Sequence, residues 1–244
     1  MEKMQVGDSA SASAVPKAFP GLLPTIGFIV LYFSLQGLCT GLIMAATQES
    51  LATPEPISII FGLVVSAIIQ LFLMWLYLRK QARLETLGLN DFGKMPLHRA
   101  TGLGIVLVIA AMAFNMLYAT YVIPGVGMQE EMAKILAGIG RTPLNMAAMF
   151  FAIAIAAPVV EELLFRGLLQ NALAKYVPIW GAIILSSFLF ALVHLQPYAI
   201  PALMSLSIAF GYLYHRTGSL RTNIILHMAN NTFALLITQF LNFA

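Results

Sequence analysis

Seven apolar runs, at 22–46, 57–78, 101–123, 144–173, 178–195, 198–214 and 222–241, constrain what this chain can fold into. A helix needs about 20 apolar residues to cross a bilayer. In hydrocarbon every backbone N–H and C=O must find its partner inside the protein, and a helix does this within one segment. The expected fold is therefore all-α, a polytopic transmembrane helical bundle of about seven spans. The range is six to eight, because the fifth and sixth runs are short and divided only by Gln196-Pro197. Composition agrees. Only 9% of the residues are charged and 60% are hydrophobic, against roughly 25% charged in a soluble domain. Lipid must be the main solvent.

Basic residues set the expected orientation, since short cytoplasmic loops are enriched in Lys and Arg. Lys3 and Lys17 lie in the N-terminal tail. Arg79, Lys80, Arg83, Lys94 and Arg99 follow the second run, Lys175 the fourth, and Arg216 and Arg221 the sixth. The opposite side holds Lys134 and Arg141 beside Glu130 and Glu131. The N-terminus is thus predicted cytoplasmic and the C-terminus outside. Residues 1–20 read as a disordered polar cytoplasmic tail. They lack a signal-peptide pattern, so the first run is expected to be a retained span. Residues 21–142 read as three accessory spans with their loops, and 143–244 as a four-span core. Within 124–142 a short interfacial helix is expected between Pro124 and Pro143. The net charge of +3 is spread over loops, which argues against nucleic acid as a partner. Cys39 stands alone, so redox compartment is not legible. GLCTG at 37–41 permits close helix approach, and packing within the monomer is its expected use over dimerisation.

Ionisable groups at hydrocarbon depth cost about 2.5–3.5 kcal/mol on insertion scales and need partners or a wet cavity. Three stretches break the apolar rule. In EELLFR at 161–166, Glu162 and Arg166 are four apart with the acid first, the favoured orientation for a helical ion pair. Glu161 points about 100° away, which leaves its carboxylate free for chemistry. Pro158 removes a backbone bond one turn earlier and is expected to bend the helix. FALVH places His194 near the end of the fifth run. HMANN places His227 and Asn231 on one helical face, with Asn230 rotated off it. Taken singly, each is weak: a membrane histidine is as often a backbone-bonded structural residue, and a membrane asparagine is commonly glue between helices. Together, one carboxylate, two imidazoles and an amide on three helices are the parts for water activation and oxyanion stabilisation.

The ordered pattern EExxxR, FxxxH and HxxxN resembles the CPBP family of membrane proteins, which contains the CAAX prenyl endopeptidases and bacteriocin-processing or immunity (Abi-like) relatives. The segment GYLYHRTGSLRTNIILHMANN at 211–231 is similar to the family's approach to its last motif. The likeness covers roughly 145–235. It implies an intramembrane endopeptidase acting on a membrane-associated protein or peptide. In that role Glu161 and His194 would activate water, His227 and Asn231 would hold the oxyanion, and Glu162 and Arg166 would support the site. Glu161, His194 and His227 would also make a facial site for a divalent metal such as zinc. No HExxH is present, so a zincin is not implied, and glutamate-type hydrolysis without metal is favoured. The family's bacterial branch and the lack of targeting signals point to a prokaryotic plasma membrane. The alternatives are a catalytically inactive scaffold or bacteriocin-immunity protein with the same polar core, and a small proton-coupled transporter. The transporter ranks last, because no internal repeat is visible.

One geometric difficulty accompanies this reading. Straight alternating spans would put Glu161 toward the cytoplasmic end of the fourth span and His194 toward the outer end of the fifth.

Overall fold

The computed structural model describes residues 19–50, 55–80, 83–124, 136 and 138–240. The polar tail up to residue 18, and most of the 124–142 segment with Glu130, Glu131 and Lys134, lie outside the described residues. Among the described residues there are no strands. The helices are α1 (Leu22–Thr47), α2 (Pro56–Leu78), the short α3 (Arg83–Thr86), α4 (Leu97–Tyr121), α5 (Pro143–Leu173), α6 (Ile179–Leu192), α7 (Ile200–Thr217) and α8 (Leu220–Phe240). Each predicted run has become a helix, in an all-α membrane bundle. By length and composition, α1, α2, α4 and α5 can cross a bilayer. The other three fall outside that measure: α6 is apolar but has 14 residues, in line with the short fifth run, and α7 and α8 carry polar side chains that the packing uses.

Local chemistry sets the boundaries. Pro143 opens α5 at a position whose N–H would have no helical partner, and the Thr142 hydroxyl accepts from Asn145 N at 3.2 Å. Gly218, at φ 68°, closes α7 and donates its N–H to Tyr214 O at 2.7 Å. Only a residue without Cβ takes that conformation freely. The turn between α6 and α7 is tighter: Leu195 sits at φ 55°, and Pro197 starts a single 3-10 turn, Pro197–Ala199.

The helix α5 is the axis of the bundle. Its most apolar stretch is 56% buried, against 11% and 17% for α1 and α4, whose side chains such as Leu23, Val30, Val106 and Met116 face outward. Outward apolar surface of this kind is what lipid covers. Against α5 lie α1, α2, α6 and α8, and α7 packs between α4 and α6. Where α1 meets α2, Thr40 lies against Gly62, whose missing Cβ makes the approach possible. GLCTG thus packs within the monomer as expected, but through Thr40 and the buried Cys39 and not through its glycines. Gly37 and Gly41 have nothing within 4 Å of a built Cβ among the described residues, because the helix turns Thr40 inward and those glycines outward.

The segments predicted to share a side do meet at one end. Lys175 Nζ donates to Pro20 O at 2.7 Å, and Arg83 lies over the Phe19 ring at 4.9 Å. Lys94 N donates to Thr217 O at 2.8 Å, and Arg221 N donates to Gly88 O at 3.3 Å. Gly88 and Gly93, both at positive φ, abut the carbonyls of Gly218 and Thr217 so closely that no Cβ would fit. The α1–α2 connection lies at the other end, where Glu49 Oε1 accepts from the Thr47 and Ser58 hydroxyls, each at 2.6 Å, and Oε2 accepts from Glu55 N at 3.0 Å.

Candidate active site

The polar residues of EELLFR sit where α5 departs from α-helical geometry. Phe151–Ala156 and Glu162–Gln170 are π-helical, with Ala157–Glu161 between them. Pro158 has no N–H for a bond to the preceding turn. The expected perturbation at this proline therefore takes the form of wide i→i+5 turns on both sides of it. Such bulges occur often at functional sites.

From this segment Glu162 and Arg166 point into the protein, at 0% and 1% exposure. Arg166 Nη1 lies 3.0 Å from Glu162 Oε1 as an ion pair, off hydrogen-bonding alignment. Its Nη2 donates to Ser207 Oγ at 3.1 Å and Ser207 O at 3.3 Å. The guanidinium also rests 4.9 Å from the Phe190 ring centroid and 5.6 Å from that of Phe210. The ion pair expected from spacing thus forms, and α6 and α7 enclose it.

The Glu162 carboxylate does more than pair with arginine. Its Oε1 accepts from His227 Nδ1 at 2.9 Å, and Oε2 accepts from Asn223 Nδ2 at 3.2 Å. Asn223 also donates to Phe210 O at 2.7 Å. The His227 ring stacks on Phe210 with centroids 4.8 Å apart. A carboxylate can only accept, so the neutral His227 ring carries its proton on Nδ1 and presents a lone pair at Nε2. That Nε2 lies 3.8 Å from Glu161 Oε2, and the Glu161 side chain keeps 15% of its surface exposed. The carboxylate left free in the sequence reading is the more open of the two, and it faces a positioned imidazole.

Asn231 lies further along α8. Its Nδ2 donates to Ile153 O at 3.1 Å, in the first π-helical stretch, and its Oδ1 accepts from Asn230 Nδ2 at 3.2 Å. One amide hydrogen remains to be donated. His194, just past the end of α6, donates from Nδ1 to Phe190 O at 2.7 Å and packs on the Phe190 ring at 4.7 Å. Its Nε2 is therefore also an acceptor. The structure joins Glu161 to His227 and leaves His194 linked through Phe190, rather than in contact with Glu161. The depth difficulty eases where α5 and α6 touch: Phe190 packs edge-on against Phe165 at 5.2 Å, His194 lies four residues beyond Phe190, and Glu161 four before Phe165. The short α6 thus brings His194 to a depth similar to that of Glu161.

Among the described residues no three His, Cys, Asp or Glu side chains converge closely enough to hold an ion. Glu161 and His227 supply two donors, and His194 does not complete the set as the facial arrangement requires.

Sequence reasoning missed Asn223, Ser207 and Tyr32. Asn223, His227 and Asn231 recur every four residues on α8, a signal present in the sequence. Ser207 looked like an ordinary small residue of a span. Tyr32, in the peripheral α1, is buried against Val160, Leu163 and Leu164 and bonds Gln36 close to Glu161. Nothing in the run 22–46 distinguishes it.

Residues 143–233, the stretch that carries all of these side chains except Tyr32, match the family described as type II CAAX prenyl endopeptidase Rce1-like. Through this segment the chain is similar to CAAX-type membrane endopeptidases. A curated relative, "Putative membrane peptidase YdiL" of Bacillus subtilis (strain 168), is 29% identical over 118 residues. The alignment covers 48% of this chain and 47% of the relative, so the match spans about half the length of each. No solved structure matches.

Proposed function

We propose that the chain is an intramembrane endopeptidase that hydrolyses a peptide bond of a membrane-associated protein or peptide in a prokaryotic plasma membrane. The observation that carries this reading is the approach of Glu161 Oε2 to His227 Nε2 at 3.8 Å, with Nδ1 of the same ring tied to buried Glu162. A water between the two can give one hydrogen bond to each. Glu161 takes one proton, and the hydroxide adds to the scissile carbonyl carbon. The free amide hydrogen of Asn231 is offered to the resulting oxyanion. His227 Nε2 keeps accepting from the hydroxyl that the water has become, and so holds the tetrahedral intermediate in place. When the C–N bond breaks, the proton held by Glu161 passes to the leaving amine. The products are a carboxylic acid and an amine, so water is the only reactant consumed besides the peptide. His194, with Nε2 unoccupied at a similar depth, assists Glu161 in handling the proton. Preorganised donors and bases of this kind act more strongly in a site screened from water.

Glu162, Arg166 and Asn223 position His227 and do not reach the substrate. This hydrolysis uses no metal. The test is comparative proteomics of membranes from a strain carrying Glu161→Gln against wild type. Accumulation of uncleaved membrane peptides, with the variant inserted at normal levels, is the expected result. An unchanged peptide profile removes the peptidase reading and leaves the inactive scaffold or immunity protein.

A further inference from the structure

A second polar site lies at the end of the bundle that bears the basic loops. A cavity of about 430 Å³ opens there, bordered by α3, the 88–94 loop, the end of α5, the start of α6 and the end of α7. Among its lining residues are Glu85, Asp91, Lys94, Gln170, Asn171 and His215. It belongs neither to the Glu161 group nor to the proposed hydrolysis.

One amide at the cavity has an oxygen to spare. Gln170 is 1% exposed; its Nε2 donates to Gly211 O at 3.1 Å, and its Oε1 is turned into the packing against Gly211, away from the cavity. Asn171 gives its Nδ2 hydrogens to Gly167 O and the Tyr214 hydroxyl, each at 2.9 Å, so its Oδ1 is left as an acceptor. An acceptor left open at a polar cavity suits a ligand that donates. Two carboxylates at the same cavity favour a donor that is also positive. Lys94 and His215, on the same wall, favour a negative group attached to it.

The depth of the site names the source. Trp180 and Tyr212 stack at 5.4 Å, and Arg216 Nη1 donates to the Tyr212 hydroxyl at 2.9 Å. Such aromatic and basic pairs mark the headgroup level of a bilayer. We propose that the cavity binds the headgroup of an aminophospholipid, with its primary ammonium on Glu85, Asp91 and the Asn171 oxygen, and its phosphate on Lys94 and His215. Gln170 ends the π-helical segment that begins at Glu162, so a bound headgroup would brace the helix that carries the catalytic carboxylate.

Phosphatidylethanolamine and phosphatidylcholine carry the same charges, but the second has no N–H to donate. The test is the thermal midpoint of the full chain in detergent, with either lipid added, and in parallel with soluble phosphoethanolamine. Phosphatidylethanolamine is expected to raise the midpoint by several degrees and phosphatidylcholine to leave it unchanged. That difference should disappear in Glu85→Gln and in Asp91→Asn. Equal shifts from both lipids overturn the proposal, as does a full response retained in both variants. An equal shift from soluble phosphoethanolamine overturns the lipid as the source.

Discussion

His227 is held on one ring face and at one nitrogen, and Asn223 is the residue on which that arrangement turns. Its amide donates to Glu162 Oε2 and to Phe210 O, so it joins the carboxylate that orients the imidazole to the ring that stacks on it. Asn223→Ala leaves the buried Glu162 Oε2 without its donor, at about 1–3 kcal/mol, while Phe210 O keeps its helical partner in α7. The variant is expected to melt at lower temperature and to lose turnover with little change in KM, because the loosened group is His227 and not a substrate contact. Melting and steady-state kinetics in proteoliposomes check this. Unchanged kcat in a folded Asn223→Ala protein would separate the Glu162 group from catalysis. At this scale the sequence was partly legible. Glu162–Arg166 followed from spacing alone, whereas the bond between Glu162 and His227 joins residues 65 positions apart, which no local pattern encodes.

Among the elements, α5 and the α1–α2 connection show how polar groups punctuate apolar helices. The two π-helical stretches flank Pro158 because the proline interrupts the regular bonding ladder. They turn Glu162, Arg166 and Gln170 all inward on one helix. At the far end of the bundle, hydrogen bonds from the Ser58 and Thr47 hydroxyls hold the Glu49 carboxyl below its usual pKa range. A carboxylate favoured in the folded state contributes stability above its ordinary pKa of 4.5. That contribution is lost as pH falls through the lowered folded value. Wild type should therefore melt above Glu49→Gln at neutral pH, and the gap should close below pH 4.5. Thermal scans across pH check it; a gap that widens in acid would contradict the assigned bonds. The sequence marked α5 as a span and Pro158 as an irregularity. It did not reveal π-helical geometry, because that depends on how α8 and α7 fill the widened turns.

For the whole molecule, the alternation of basic loops predicts which ends of the helices share a side, and the contacts of Lys175 with Pro20 and of Arg221 with Gly88 gather those segments at one end. In a Cys39→Ser background, Tyr176→Cys should react with an impermeant thiol reagent only from the cytoplasmic face, and Glu55→Cys only from the opposite face. Reversed labelling would invert the predicted orientation. By itself the sequence determined the all-α membrane class, the seven helical segments and the Glu162–Arg166 pair, because hydrocarbon forces backbone bonds to be local and i,i+4 spacing is a property of one helix. Only the tertiary structure decided that Glu161 meets His227, that a short α6 brings His194 to their depth, and that Gly37 and Gly41 face outward. Those outcomes depend on helix lengths, rotations and offsets, which are fixed when side chains from distant runs compete for the same buried space.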